Sequence, residues 1–427
     1  MKNQQNGTST IADALGEVLS PSEKEKPSKH FLLGLLAATF AVSVVDVFAP
    51  LLYPEIAQTF NIQVGTAVQL SAFSAVAGII TGFTLSIFSV KVRYKTLLLA
   101  GVFCIVICAL GVFFAPTFLI AQIFYSLNGV GSVIVGVMSS TIIGELYPLD
   151  KKAIRISWVF VTAQLAILVG SPITGYIAGY GETVDWHSAL LWFTVPVTAA
   201  SLMLVYFLVP SKPMVSLNLK KEPFINGLKG VLGNKSAVIC LIYSFSIGML
   251  VASNIFASSF MKSTFAFSPF MRGLVPAIGT LLIIAGTLVG GLLINKAGRK
   301  RLTIMSSVPT IVLSTAAYVL MIYTPNVGLF LALRWISGFL AGFLSIAGAN
   351  LALEQVTKYR GTMMSLNSAL SGSGGAFGAL FGGALINYFS DPMVGYPLLM
   401  VIFGVIGIVG SGLIYFAKEP TENKSAA

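Results

Sequence analysis

The sequence predicts an all-α polytopic membrane protein: twelve transmembrane helices in two pseudo-symmetric six-helix bundles around a central cavity. Three observations carry that expectation. Apolar runs of about 20 residues recur from Phe31 to Phe416, each long enough to cross a bilayer as a helix. Lys and Arg crowd onto alternate connections between the runs. Polar features of the first half return in the second, about 205–209 residues later.

Composition bounds the class. At 56% hydrophobic and 10% charged residues, the runs are too many and too long for a buried soluble core. In lipid only helices and closed barrels satisfy their own backbone, and the runs lack a barrel's alternation. The net charge of +11 follows from orientation. With both termini in the cytoplasm of a multi-pass cell-membrane protein, every Lys and Arg lies inside except Lys262, Arg272 and the intramembrane Arg334. That leaves no basic surface for nucleic acid. Cys104 and Cys108 stand one helical turn apart and Cys240 falls in another run, which suits small apolar residues rather than a disulfide framework. The histidines, His30 and His187, lie at span ends. No metal, nucleotide or paired-carboxylate motif appears, so the reading is a non-enzyme without cofactor, driven by a gradient.

Taken in order, residues 1–30 form a polar cytoplasmic tail without a cleavable signal pattern, and the first run is expected to remain as an anchor. An N-terminal six-helix bundle occupies 31–209, with spans near 31–52, 66–88, 96–115, 118–143, 156–179 and 188–209. Residues 210–236 are a cytoplasmic linker in which Phe224, Leu228, Val231 and Leu232 keep helical spacing. Either an interfacial helix on the inner leaflet or a flexible connection interrupted by glycines fits. The C-terminal bundle, 237–417, has spans near 237–259, 271–293, 302–323, 327–350, 362–388 and 396–417, before a tail at 418–427.

The repeat shows in five places. Asp46-Val-Phe-Ala matches Asn254-Ile-Phe-Ala, one ionisable and one neutral. Ser86 to Lys95 matches Gly291 to Lys300, and Tyr125 to Gly129 matches Arg334 to Gly338. Glu145 and Glu354 each stand 16 residues past those last glycines, and Gly170 to Gly175 matches Gly378 to Gly383. Two related bundles that handle a small molecule between them near the midplane is the architecture implied.

These residues resemble the major facilitator superfamily over all twelve spans. The family's G-x-L-x-D-R-x-G-R-K loop is close to Gly291, Leu293, Lys296, Gly298, Arg299 and Lys300, with Asn295 for Asp. In the first copy Lys91 and Lys95 keep the charge, while Ser86, Val90 and Arg93 replace the first Gly, the Asp and the second Gly. Gly170, Pro172 and Gly175 resemble the G-P-x-x-G-G signature of drug–proton antiporters, and Tyr125 stands where those proteins carry Arg. The resemblance implies alternating access and a monomer enclosing one cavity.

Asp46 is the acid expected well inside a span. A carboxylate there can take up and release a proton as its access to water changes, or it can be a structural hydrogen-bonding group. Arg334 is the intramembrane cation, placed at similar depth; it would bind an anionic substrate group, pair with Asp46, or serve structure alone. Asn254, Tyr125, Asn128, Gln122 and Gln164 are candidate substrate contacts or interhelical bonds, and Phe48 and Phe256 candidate apolar walls or lipid-facing packing. Two latches are expected, Glu145 with Lys91, Arg93 and Arg155 and Glu354 with Lys296, Arg299 and Arg360, or else these are ordinary topology-setting charges; Lys95 and Lys300 stand with them as gating or conformational residues. Gly170, Pro172 and Gly175 would kink the fifth span, and Gly378 and Gly383 would allow close approach in the eleventh. The functional expectation is proton-coupled efflux of small amphiphilic or sugar-like molecules. Proton symport or uniport of a metabolite is the alternative, and a non-transporting sensor or lipid-handling protein the second.

Overall fold

The computed structural model describes residues 30–88, 93–146, 149–209, 224–356, 359–389 and 391–418. Among these, twelve helices are long and apolar enough to span a membrane. They are α1 Phe31–Thr59, α2 Val64–Gly82, α3 Tyr94–Phe113, α4 Phe118–Ile143, α5 Ser157–Ala178 and α6 Trp186–Leu208. The second half supplies α7 Lys235–Phe265, α8 Pro269–Ile294, α9 Arg299–Ile322, α10 Val327–Gln355, α11 Gly361–Tyr388 and α12 Pro392–Phe416. The even count returns the last helix to the end where the first began, here the tail side.

Each helix forms because an apolar segment in lipid has no other partner for its backbone. The ends are set by capping. Asn234 accepts from the Ser236 and Ala237 backbone N–H groups before α7, Ser268 from Met271 before α8 and Asn326 from Leu329 before α10. Between α8 and α9, Gly298 takes φ 81°, a conformation open to glycine, so the chain reverses within one residue.

Several helices run past their expected ends. α1 continues through Pro50 and Pro54 to Thr59, and α7 extends to Phe265. At 29 residues α1 is about 43 Å long, more than the ~30 Å hydrocarbon of a bilayer. Its far end is held from both bundles: Trp186 of α6 donates to Thr59, and Arg272 of α8 to the Leu51 carbonyl and Glu55. In the linker, Phe224–Leu232 is a helix. It docks on protein: Gly227 lies against Thr362 and Gly230 against Tyr359 at the start of α11, with Val231 buried and Leu232 exposed.

The twofold repeat is visible in detail. Lys95, opening α3, donates to the Tyr206 carbonyl at 2.7 Å with its Nζ 5.3 Å from that ring's centroid. Lys300, opening α9, donates to the Tyr415 carbonyl at 2.6 Å and lies 5.2 Å from its ring. Both ties stay within their own bundle, third helix to sixth.

Several bonds join the two bundles in the half away from the tails. Asn387 of α11 donates to Thr66 of α2 at 2.9 Å, and Ser258 of α7 to the Leu51 carbonyl of α1 at 2.6 Å. Ser171 of α5 donates to the Gly273 carbonyl of α8. There the backbones touch: a Cβ on Gly65 would fall 2.0 Å from the Gly383 oxygen, and one on Gly175 2.3 Å from the Pro269 oxygen.

Candidate functional site

Below these contacts a cavity of about 700 Å³ separates the bundles, walled mainly by apolar side chains of α1, α5 and α7 to α11. Helical periodicity decides which polar groups reach it. Asp46 and Asn254 are exposed positions in largely buried stretches of α1 and α7, and both line the cavity. Asp46 Oδ1 accepts from Asn128 Nδ2 of α4 at 2.6 Å, and Asn254 Oδ1 accepts from Arg334 Nη2 of α10 at 2.7 Å. One arrangement is thus written twice, with a carboxylate and an amide in one bundle and an amide and a guanidinium in the other. Asp46 and Arg334 do not pair with each other; each is held by an asparagine across its own bundle.

Depth is fixed by the α1–α7 contact. Asp46 stands five residues before Leu51 and Asn254 four before Ser258, so they lie roughly 7.5 and 6 Å below the Leu51–Ser258 bond. The carboxylate and the Asn254–Arg334 pair therefore face the cavity at nearly one level. Arg334 also lies 6.0 Å from the centroid of the Tyr318 ring, and Gln164 of α5 completes the polar lining predicted from sequence.

The other expected contacts do not reach it. Phe48 and Phe256 are fully buried inside their bundles, Phe48 against Trp186 and Phe256 beside Gly382, so they are neither cavity walls nor lipid-facing. A residue two places along a helix points about 200° away, so neighbours of Asp46 and Asn254 at that spacing must turn inward. Tyr125 is buried and donates to the Val45 carbonyl at 3.2 Å; Gln122 is buried too. Asn128 is buried behind Asp46, which makes it a support rather than a contact.

Of the latch residues, Glu354 accepts from Arg299 at 2.9 Å within one bundle, with both side chains about a quarter exposed. Lys296 is exposed just past the α8 span, where the helix runs on to Ala297, Arg155 is half-buried, and Arg93 precedes α3. Lys91 lies outside the described residues, as do the side chains of Glu145 and Arg360. In α5 the helix widens over Ala166–Gly170 and restarts with Pro172 in its first turn. Gly175 and Gly383 make cross-bundle contacts, whereas Gly378 packs on Ala252 within its own.

One feature escaped the sequence reading. Glu55, only 3% exposed, accepts from Arg272 at 2.6 and 3.3 Å through its two oxygens and from Lys262 at 2.8 Å. Arg272 is 1% exposed and Lys262 31%; Arg272 also donates to the Leu51 carbonyl and the Ser258 hydroxyl. This clasp closes the far end of the cavity and ties α1 to α7 and α8. Its signal was the spacing: Glu55 and Lys262 are 207 residues apart, close to the repeat offset. Equivalent positions on α1 and α7 meet near the pseudo-twofold axis.

A family model, the Major Facilitator Superfamily, matches residues 31–316 and 239–427. The chain belongs to that superfamily. Among curated relatives, Multidrug resistance protein 2 of Bacillus subtilis is 23% identical over 307 residues, covering 70% of this chain and 73% of its own. The human Synaptic vesicular amine transporter is 23% identical over 375 residues, covering 84% and 67%. Among solved structures, a D-xylose-proton symporter superposes with TM-score 0.74 at 18% identity, covering 91% of this chain and 97% of that one. The nucleoside transporter NupG gives 0.70 at 15%, covering 91% and 98%. These superpositions show the fold. As a member of the superfamily, the chain is a multi-pass membrane transporter for small molecules, not an enzyme.

Proposed function

We propose that this superfamily member is a secondary active transporter working by alternating access, coupled to protons through Asp46, exporting small amphiphilic or sugar-like molecules. The supporting observation is a carboxylate facing the cavity beneath a cross-bundle clasp. In this state the far side is tied shut. The concentration of Lys and Arg on the tail side supports placing that side in the cytoplasm, and the state is then inward-facing.

Asp46 exchanges its proton with whichever side wets the cavity. Asn128 serves both forms: its amide nitrogen donates to the carboxylate, and rotated by half a turn its oxygen accepts from the carboxylic acid. Opening to the far side requires Glu55 to part from Arg272 and Lys262, and closing requires them to meet again. The relative named for multidrug resistance supports export.

The test is flux in proteoliposomes under an imposed pH gradient, using a panel of amphiphiles and sugars with proton movement read by an entrapped dye. Counterflow of a panel compound and protons is expected, with Asp46→Asn retaining exchange without a gradient but losing gradient-driven accumulation. Co-directional flow refutes export, and an unaltered Asp46→Asn refutes the proton carrier.

A further inference from the structure

We infer that the molecule carried is a zwitterion whose cationic and anionic ends are separated by an apolar spacer. This deepens the transporter reading above and rests on it for the word carried, though not for binding.

Three observations converge. First, the cavity holds opposite charges on opposite bundles, Asp46 from α1 and Arg334 from α10, at nearly the same depth. Second, the charges leave each other free. Each is oriented by one asparagine of its own bundle, Asn128 or Asn254, which satisfies a single oxygen or a single nitrogen. The remaining carboxylate lone pairs and guanidinium N–H groups stay available to a ligand. Third, the cavity they share is walled mainly by apolar surface, with residues such as Val47, Val251, Ile255 and Trp335 in the lining. An ammonium suits Asp46, a carboxylate suits the planar fork of Arg334, and a hydrocarbon spacer suits the wall.

A purely cationic amphiphile would satisfy Asp46 and leave Arg334 facing apolar surface in a desolvated site. A purely anionic one would do the reverse. Uncompensated charge is the costlier outcome in each case, so the zwitterion is selected as much by what the others leave unpaired as by its own contacts. Its two ends would also reach both bundles, which a singly charged ligand does not need to do.

The experiment measures binding by isothermal titration calorimetry on the purified full chain at about pH 8, where ammonium and carboxylate ligands are both ionised. The probes are γ-aminobutyrate, ε-aminocaproate and ω-aminocaprylate, with hexylamine and caproate as singly charged controls. At least one ω-amino acid is expected to bind tenfold or more tighter than either control. In Arg334→Gln that compound should fall to the level of hexylamine, in Asp46→Asn to the level of caproate, and Arg334→Lys should retain the preference. Hexylamine or caproate binding as tightly as every ω-amino acid to the unaltered protein overturns the inference. So does a preference that survives Arg334→Gln. Because no gradient is applied, selectivity without proton-coupled flux defeats the transport mechanism and leaves the ligand class standing; flux of a singly charged compound without zwitterion selectivity does the opposite.

Discussion

Replacing Glu55 by Gln removes the one negative charge from a cluster that otherwise holds two cations. Breaking a buried pair by deleting one partner costs about 3–5 kcal/mol, because the other charge is left unsolvated. Arg272, 1% exposed, meets that condition, while Lys262 at 31% reaches solvent and adds roughly 0–1 kcal/mol. Gln keeps a carbonyl acceptor, so about 3 kcal/mol is expected. That penalty falls on the far-closed state, since parting the bundles lets Arg272 hydrate. About 3 kcal/mol shifts the closed-to-open ratio roughly 100-fold. Spin labels on the exposed loop positions Glu182 and Thr324, one on each bundle, report the change as a longer distance population by pulsed electron paramagnetic resonance. A double variant isolates the orphaned charge. In Glu55→Gln/Arg272→Met the orphaned charge is gone, and an apolar replacement of a buried pair is often near neutral, so the closed population should largely return. No longer distance in the single variant, or no recovery in the double, would refute the clasp as the element that holds the far side shut.

Other perturbations separate gating from stapling. Gly65→Ala would drive a methyl into the Gly383 oxygen 2.0 Å away, a backbone contact that cannot yield locally. Overpacking of about 1–3 kcal/mol should open the far side in the same spin-label assay with the bundles still folded. Lys95→Met and Lys300→Met remove ties internal to one bundle, so the distance distribution should stay unchanged while thermal unfolding shows a loss of roughly 1 kcal/mol each. Asp185, just before α6, accepts from the His187 and Ser188 backbone N–H groups at 3.0 and 3.2 Å. Burial by itself raises its carboxyl, but the Ser188 hydroxyl and the His187 backbone and ring outweigh it and hold the group below the usual carboxylate range. A lowered acid contributes stability above its unfolded value and loses it as pH falls through the folded one. As a half-exposed cap, Asp185→Ala should cost about 0.5–1 kcal/mol near neutrality, with the gap from the unaltered protein closing below about pH 4.

The fold was legible because lipid leaves a 20-residue apolar segment one way to satisfy its backbone, so length and composition decide the elements. Asp46, Asn254 and Arg334 stood out for the same reason: polar groups in apolar runs. Phe48 and Phe256 were singled out as equivalent positions of the repeat, but a two-residue step from Asp46 or Asn254 turns the side chain about 200°, into the bundle. Lys95 and Lys300 stood out as charges of the repeated loop signature and as gating residues. They bind backbone carbonyls more than a hundred residues away, which leave no trace in side-chain chemistry.

Glu55 was hidden by its setting, since a charge after Pro54 reads as the end of a span. The helix continues where Trp186 of its own bundle and Arg272 of the other both pack on it, and those contacts are tertiary information. Yet the repeat supplied a rule that would have found it. Positions one repeat apart on α1 and α7 approach each other at the pseudo-twofold axis, so opposite charges at Glu55 and Lys262 are natural partners. The same sign arrangement holds in the cavity, where the first bundle offers the acid Asp46 and the second the base Arg334. The two levels differ in one respect. At the clasp the side chains span the gap themselves, whereas in the cavity each is tethered to its own bundle and the gap stays open for a ligand carrying the complementary charges.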